Sequence, residues 1–197
     1  LSGLLGKNPQ AANQIALNLS SMTFMVAMGL SVASMIRVGN QKGLQNFKEL
    51  RRIAFSIFFM AVLLAVFFAT VFFLFHEQLP KLYVDYDDVT NLVDNKEVVS
   101  IAAQLMLAAA IFQISDSIQV VVLVALRGLQ DVKIPTLITF IAYWLVGFPV
   151  SYYFGKEDQL CSFGIWLGLL AGLSSAAVLL YIRFNSLTLK LIREKEN

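Results

Sequence analysis

A chain of 197 residues that is 58% hydrophobic and 14% charged, with a mean hydropathy of +0.71, lies outside the range of water-soluble domains. A formal net charge of +2 is too small to argue for nucleic acid as a partner, and the single Cys161 and single His76 exclude an internal disulfide framework and a His/Cys zinc site. The apolar residues come in long blocks, so the expected solvent is lipid and the expected fold is an all-α, polytopic bundle of spanning helices.

The chain opens on Leu1 with no basic segment or small-residue cleavage site near it, which reads as a fragment of something longer. Five blocks are then long enough to cross a hydrocarbon core, which takes about 20 helical residues. The first, residues 12–38, has no charge between Lys7 and Arg37 but carries Gln14, Asn18 and Ser21 at helical spacing, a polar stripe. The second, residues 53–75, is apolar on every side and reads as the helix most exposed to lipid. The third, residues 98–126, is the one block with a charge inside, Asp116, and reads as one of the most buried. The fourth, residues 134–154, has Pro135 in its first turn, where proline is tolerated, and Gly147 and Pro149 near its end, which should bend or stop it. The fifth, residues 162–181, contains GLLAGLSSAA, small residues that let helices approach closely.

If the five helices alternate, eleven of the 15 lysines and arginines (Arg37, Lys42, Lys48, Arg51, Arg52, Arg127, Lys133, Arg183, Lys190, Arg193 and Lys195) fall on one side. The remaining four, Lys7, Lys81, Lys96 and Lys156, fall on the other. By the positive-inside rule the 38–52 and 127–133 connections and the C-terminal tail are cytoplasmic, in an inner membrane, and residues 1–10, 76–97 and 155–161 are external. The external stretch holds Asp85, Asp87, Asp88, Asp94 and Glu97, read as a solvated acidic loop with cation capture as the alternative. Arg37, Arg127 and Lys133 read as topological anchors, and Gly39, Gly43 and Gly128 as helix caps or connections.

Asp116 carries the most chemistry. A carboxylate near the middle of a spanning helix costs about 2.5 to 3.5 kcal/mol on insertion scales, so something must offset it. Phe112, Asp116 and Gln119 share a helical face, flanked by Gln113, which turns the carboxylate toward protein rather than lipid. Two readings stay open for the polar residues of the third and first blocks: a hydrated cavity in which Asp116 exchanges a proton for a cation, or interhelical hydrogen bonds that fix packing.

The ordered segments NQIALNLSS, IRVGN, FQISDSIQVV, ALRGLQD and AYWLVGFP resemble the multidrug and toxin extrusion (MATE) family, in its bacterial sodium- or proton-coupled efflux branch, over nearly the whole chain. The resemblance implies a twelve-helix transporter of two six-helix lobes, of which the five blocks are helices eight to twelve, with the first lobe and the seventh helix outside this chain. It implies antiport of cationic small molecules against H+ or Na+, with no resident cofactor or metal beyond transient Na+ at Asp116. Asp116 is then similar to the carboxylate that binds the coupling cation and helps recognise substrate, among Phe112, Gln113, Gln119, Gln14 and Asn18. Phe112 stands where the family often has tyrosine, which removes a hydroxyl ligand and weighs against sodium; Asn13 stands where histidine is common and implies no more than a polar contact. The absence of a nucleotide-binding motif points to an ion gradient as the energy source. Two other functions stay open: a flippase for lipid-linked sugars, which would want a basic rather than an acidic cavity, and a truncated interaction subunit without transport. No paired acids or activated nucleophile in the spans suggest an enzyme.

Overall fold

The computed structural model describes residues 7–83, 92–154 and 161–196, with side chains for 7–83, 95–154 and 166–195. The described chain is helical: α1 (Lys7–Gly43), α2 (Phe47–Leu74), a short 3₁₀ turn (Pro80–Tyr83), α3 (Leu92–Gly128), α4 (Lys133–Ile141), a π-helical segment (Ala142–Gly147), α5 (Phe148–Phe154) and α6 (Cys161–Glu196). Counting α4, the π segment and α5 as one unit, five helices are long and apolar enough to span a bilayer. Every expected block is one of them. The helices overrun the sequence bounds, because amphipathic ends continue the spiral beyond the apolar stretch: α3 begins at Leu92 within the expected loop, and α6 runs 15 residues past Tyr181. Asp85, Asp87 and Asp88 lie outside the described residues, whereas Glu97 is on α3 and accepts a hydrogen bond from Asn8 Nδ2 at 2.8 Å.

Helix α3 is the hub, packed against α1, α2 and α6. Of its most apolar stretch 56% of residues are buried, as expected for the central helix. Within this chain the α4–α5 unit is slightly less buried than α2, the block expected to face lipid most: 22% of its apolar stretch is buried against 28%. The reason is neighbour number, since α2 packs on both α1 and α3 while the α4–α5 unit rests mainly on α6. Bulky residues such as Phe59, Phe67, Phe140, Trp144 and Leu145 point outward, which a lipid solvent makes costless.

Small residues set the closest approaches. A Cβ on Gly128 would come 2.7 Å from the Met35 carbonyl oxygen, and one on Gly168 would come 2.5 Å from the Ser151 backbone nitrogen. Gly172 faces Gly147 where the π segment meets α6, so the GLLAG segment does serve close packing. Gly128 is thus a contact residue as well as the last residue of α3. The left-handed backbone positions of the two basic connections belong instead to Gln45 (φ 54°) and Gln130 (φ 60°). Gln130 closes α3 with its N–H donating to Arg127 O, while the Asp131 N–H reaches Leu126 O. Lys42 Nζ donates to Leu129 O at 2.8 Å, and Arg183 Nε donates to Asp131 Oδ2 at the same distance, so α1 and α6 both grip this turn.

The expected bend near Gly147 and Pro149 takes the form of the π segment, and the helix resumes to Phe154. Pro149 has no N–H for a carbonyl four residues back, and its ring would crowd that carbonyl. Wider turns relieve both: the Phe148 N–H reaches Tyr143 O, five residues back.

Candidate functional site

Two apolar cores occupy the two ends of the bundle. One joins Ala12, Ala16 and Leu19 of α1 to Ala102, Leu105 and Met106 of α3, with Phe72 and Trp166. The other joins Val38, Leu50, Phe58, Val122, Leu126, Leu180 and Phe184. Between them α3 carries Gln113, Ser115, Asp116, Ser117 and Gln119 within two turns, and the neighbouring helices answer with polar side chains.

Gln113, 4% exposed, faces Thr23 of α1, whose hydroxyl oxygen lies 2.7 Å from Gln113 Oε1 and 2.8 Å from Ser20 O. The hydroxyl has one proton for two acceptors. When it donates to Ser20 O, Thr23 can accept from the Gln113 amide once Nε2 faces it, which satisfies the nitrogen otherwise left buried without a partner. Gln119, 6% exposed, accepts from Tyr143 Oη in the π segment at 3.0 Å. Ser115 and Ser174 of α6 share a hydrogen bond of 2.9 Å. Phe112 meets the Trp166 ring edge to face, with centroids 5.2 Å apart, and Trp166 Nε1 donates to Asn13 Oδ1 at 3.0 Å.

Asp116 differs from all of these. It is half-buried at the centre of the polar belt, and among the described residues none hydrogen-bonds to it or pairs with its charge. Its neighbours are fixed by their own bonds: Gln113 to α1, Gln119 to the π segment, Phe112 to Trp166. Tyr143 lies close enough to feel its charge, although its hydroxyl donates to Gln119. The site is therefore a carboxylate without a counter-charge, in a frame of amides, hydroxyls and rings that are already occupied. Such a group is suited to take up a proton or a cation.

The structure brings Phe112, Gln113, Asp116 and Gln119 together and leaves Gln14 and Asn18 apart. The latter two lie on the exposed face of α1, opposite the face that packs on α3. That inward face is made of Ala12, Ala16, Ser20, Thr23, Ala27, Ser31 and Ser34, small enough for close packing, and it displaces the longer amides outward. The polar stripe of α1 that reaches α3 thus runs through Thr23, which the sequence reading passed over. Its signal is the three- and four-residue spacing to the small residues Ser20 and Ala27 on either side. Tyr143 gave no such signal, because the π segment breaks helical spacing just where it lies.

The MatE family model matches residues 1–153. This chain belongs to the MatE family. Among its relatives, the multidrug resistance protein NorM of Aliivibrio fischeri is 37% identical over 183 residues, covering 91% of this chain and 38% of the relative. The multidrug resistance protein MdtK of Proteus mirabilis is 37% identical over 183 residues, with the same coverage of 91% and 38%. This MatE chain thus spans about two fifths of the length of the curated relatives it matches. Solved MATE structures share its fold: the eukaryotic MATE transporter AtDTX14 superposes with a TM-score of 0.77 at 19% identity, over 95% of this chain and 42% of that one. A MATE family transporter in an outward-facing conformation gives 0.81 at 16% identity, over 95% and 40%. MatE membership and five apolar helices together make this a multi-pass membrane protein.

Proposed function

We propose that this chain is the C-terminal lobe of an ion-coupled multidrug exporter in which Asp116 holds either the coupling ion, H+ or Na+, or a cationic drug. The observation that carries the reading is the unpaired carboxylate on the central helix, framed by groups whose hydrogen bonds are made elsewhere. An antiporter needs a site whose two occupants exclude one another, and a single negative charge without a resident partner meets that need. The Phe112–Trp166 pair one turn away offers aromatic surface to an organic cation. Relatives called multidrug resistance proteins support the same cargo.

The test uses the full-length transporter that carries this chain. Cells expressing it should export a monovalent cationic dye such as ethidium, and Asp116→Asn should abolish export while surface expression is kept. Asp116→Glu should retain part of the activity. Wild-type export by Asp116→Asn against a gradient would reduce Asp116 to a packing residue.

The cytoplasmic placement of the arginine-rich end is tested separately. In a Cys161→Ser background, a cysteine at Lys42 should be shielded from an impermeant external maleimide and one at Asp87 should react. The opposite pattern reverses the orientation.

A further inference from the structure

An apolar groove of about 300 Å³ lies between α2 and α6 with α3 as its floor, outside the polar belt. Phe55, Phe59 and Val62 line one wall, Ile118 and Val122 the floor, and Tyr181 the other wall. From Phe55 to Val62 the groove runs seven residues, about 10 Å along α2. One helical turn beyond Phe55, at the arginine-rich end, stands Arg51. Its guanidinium lies 5.2 Å from the Phe55 ring centroid, and its Nη2 donates to Asn185 Oδ1 of α6 at 2.6 Å. Among the described residues no carboxylate pairs with it, and its Nη1 is buried without a partner. Arg52 beside it is largely exposed, with Glu49 only at 4.0 Å.

Arg51 is thus a held cation with no counter-charge among the described residues, one turn from the end of an apolar groove. An occupant that suits these surroundings has two properties: an anionic head at the level of Arg51 and an apolar tail that follows Phe55 to Val62. We infer that this groove is a binding site for an anionic phospholipid, one acyl chain in the α2–α6 groove and its phosphate on Arg51. Asn185 and the Phe55 ring hold the guanidinium in place, so the phosphate meets a fixed donor rather than a free chain.

The full-length transporter, stripped of lipid in detergent, is offered phosphatidylglycerol or phosphatidylcholine with identical acyl chains, and bound lipid is counted by native mass spectrometry. The wild type should retain phosphatidylglycerol about fivefold better, as expected for one basic side chain acting on an anionic head. Arg51→Gln should erase that preference without removing the residual binding common to both lipids. Val62→Trp, which fills the groove, should lower retention of both. Millimolar inorganic phosphate should not displace the lipid, since it has no chain to place. Equal retention of the two lipids by the wild type, a preference unchanged in Arg51→Gln, or displacement by phosphate alone would each overturn the assignment. So would failure of a membrane-dissolved maleimide to label Phe59→Cys, because another part of the transporter would then cover the groove.

Discussion

The polar belt around Asp116 and the apolar core at the arginine-rich end are built from the same helices but held together differently. At the arginine-rich end α1, α2, α3 and α6 interlock through Val38, Leu50, Phe58, Leu126, Leu180 and Phe184, with backbones brought close at Gly128. Within the belt, contact passes through single hydrogen bonds: Gln113 to Thr23, Gln119 to Tyr143, Ser115 to Ser174. Interlocked packing has one arrangement and resists change in any part. Hydrogen bonds between side chains on separate helices can be exchanged for bonds to water, ion or substrate at small net cost. The belt is thus the part of the bundle that can change partners, and the apolar end is the part that holds it in register.

That contrast can be broken by substitution. The largest effect should come from Gly128→Leu in the apolar end, where the first added carbon would already press on the Met35 backbone and α1 must move away from α3. Overpacking of this kind costs about 1–3 kcal/mol or more. It should appear as a clear loss of folded, monodisperse protein and a lower melting temperature in detergent. A smaller effect is expected of Tyr143→Phe in the belt, which removes the bond to Gln119: about 0.6 kcal/mol, the mean for interhelical hydrogen bonds in a membrane protein. A loss as large as that of Gly128→Leu would show that the belt is packed as firmly as the ends.

The smallest effect on stability belongs to Asp116→Asn, although it removes the only charge of the belt among the described residues. A neutral amide is cheaper than an unpaired carboxylate in this surrounding, and no described partner is lost, so the melting temperature should be unchanged or slightly raised. A marked fall would reveal a partner for Asp116 and reclassify the belt as structural.

Much of this arrangement was legible in the sequence. Long apolar blocks specify spanning helices because backbone groups in lipid have to be satisfied within the segment, and a lone carboxylate stands out against such a block. The packing of α1 was not legible in the same way. In lipid, apolar bulk does not mark an interior face; small residues do. Gln14 and Asn18 therefore drew attention as polar residues while Ala16, Ser20, Thr23 and Ala27 were the face that mattered. Helix ends are not marked by hydropathy for a related reason: α3 and α6 continue past the apolar stretch as ordinary polar helix, where hydropathy changes but backbone geometry does not.

The π segment has one consequence for how this region can vary. Ala142 and Gly147, five residues apart, are both buried, and Ser151 is buried four residues later. In an α-helix five residues turn about 140° past a full circle, so these positions could not share a face. The wider turn absorbs one residue and brings the second half of the helix back into phase with the first. The helix thus counts as one residue longer than its span requires. Removing one residue from between Ala142 and Gly147 would leave both halves facing α6 and take away the slack in which Tyr143 sits.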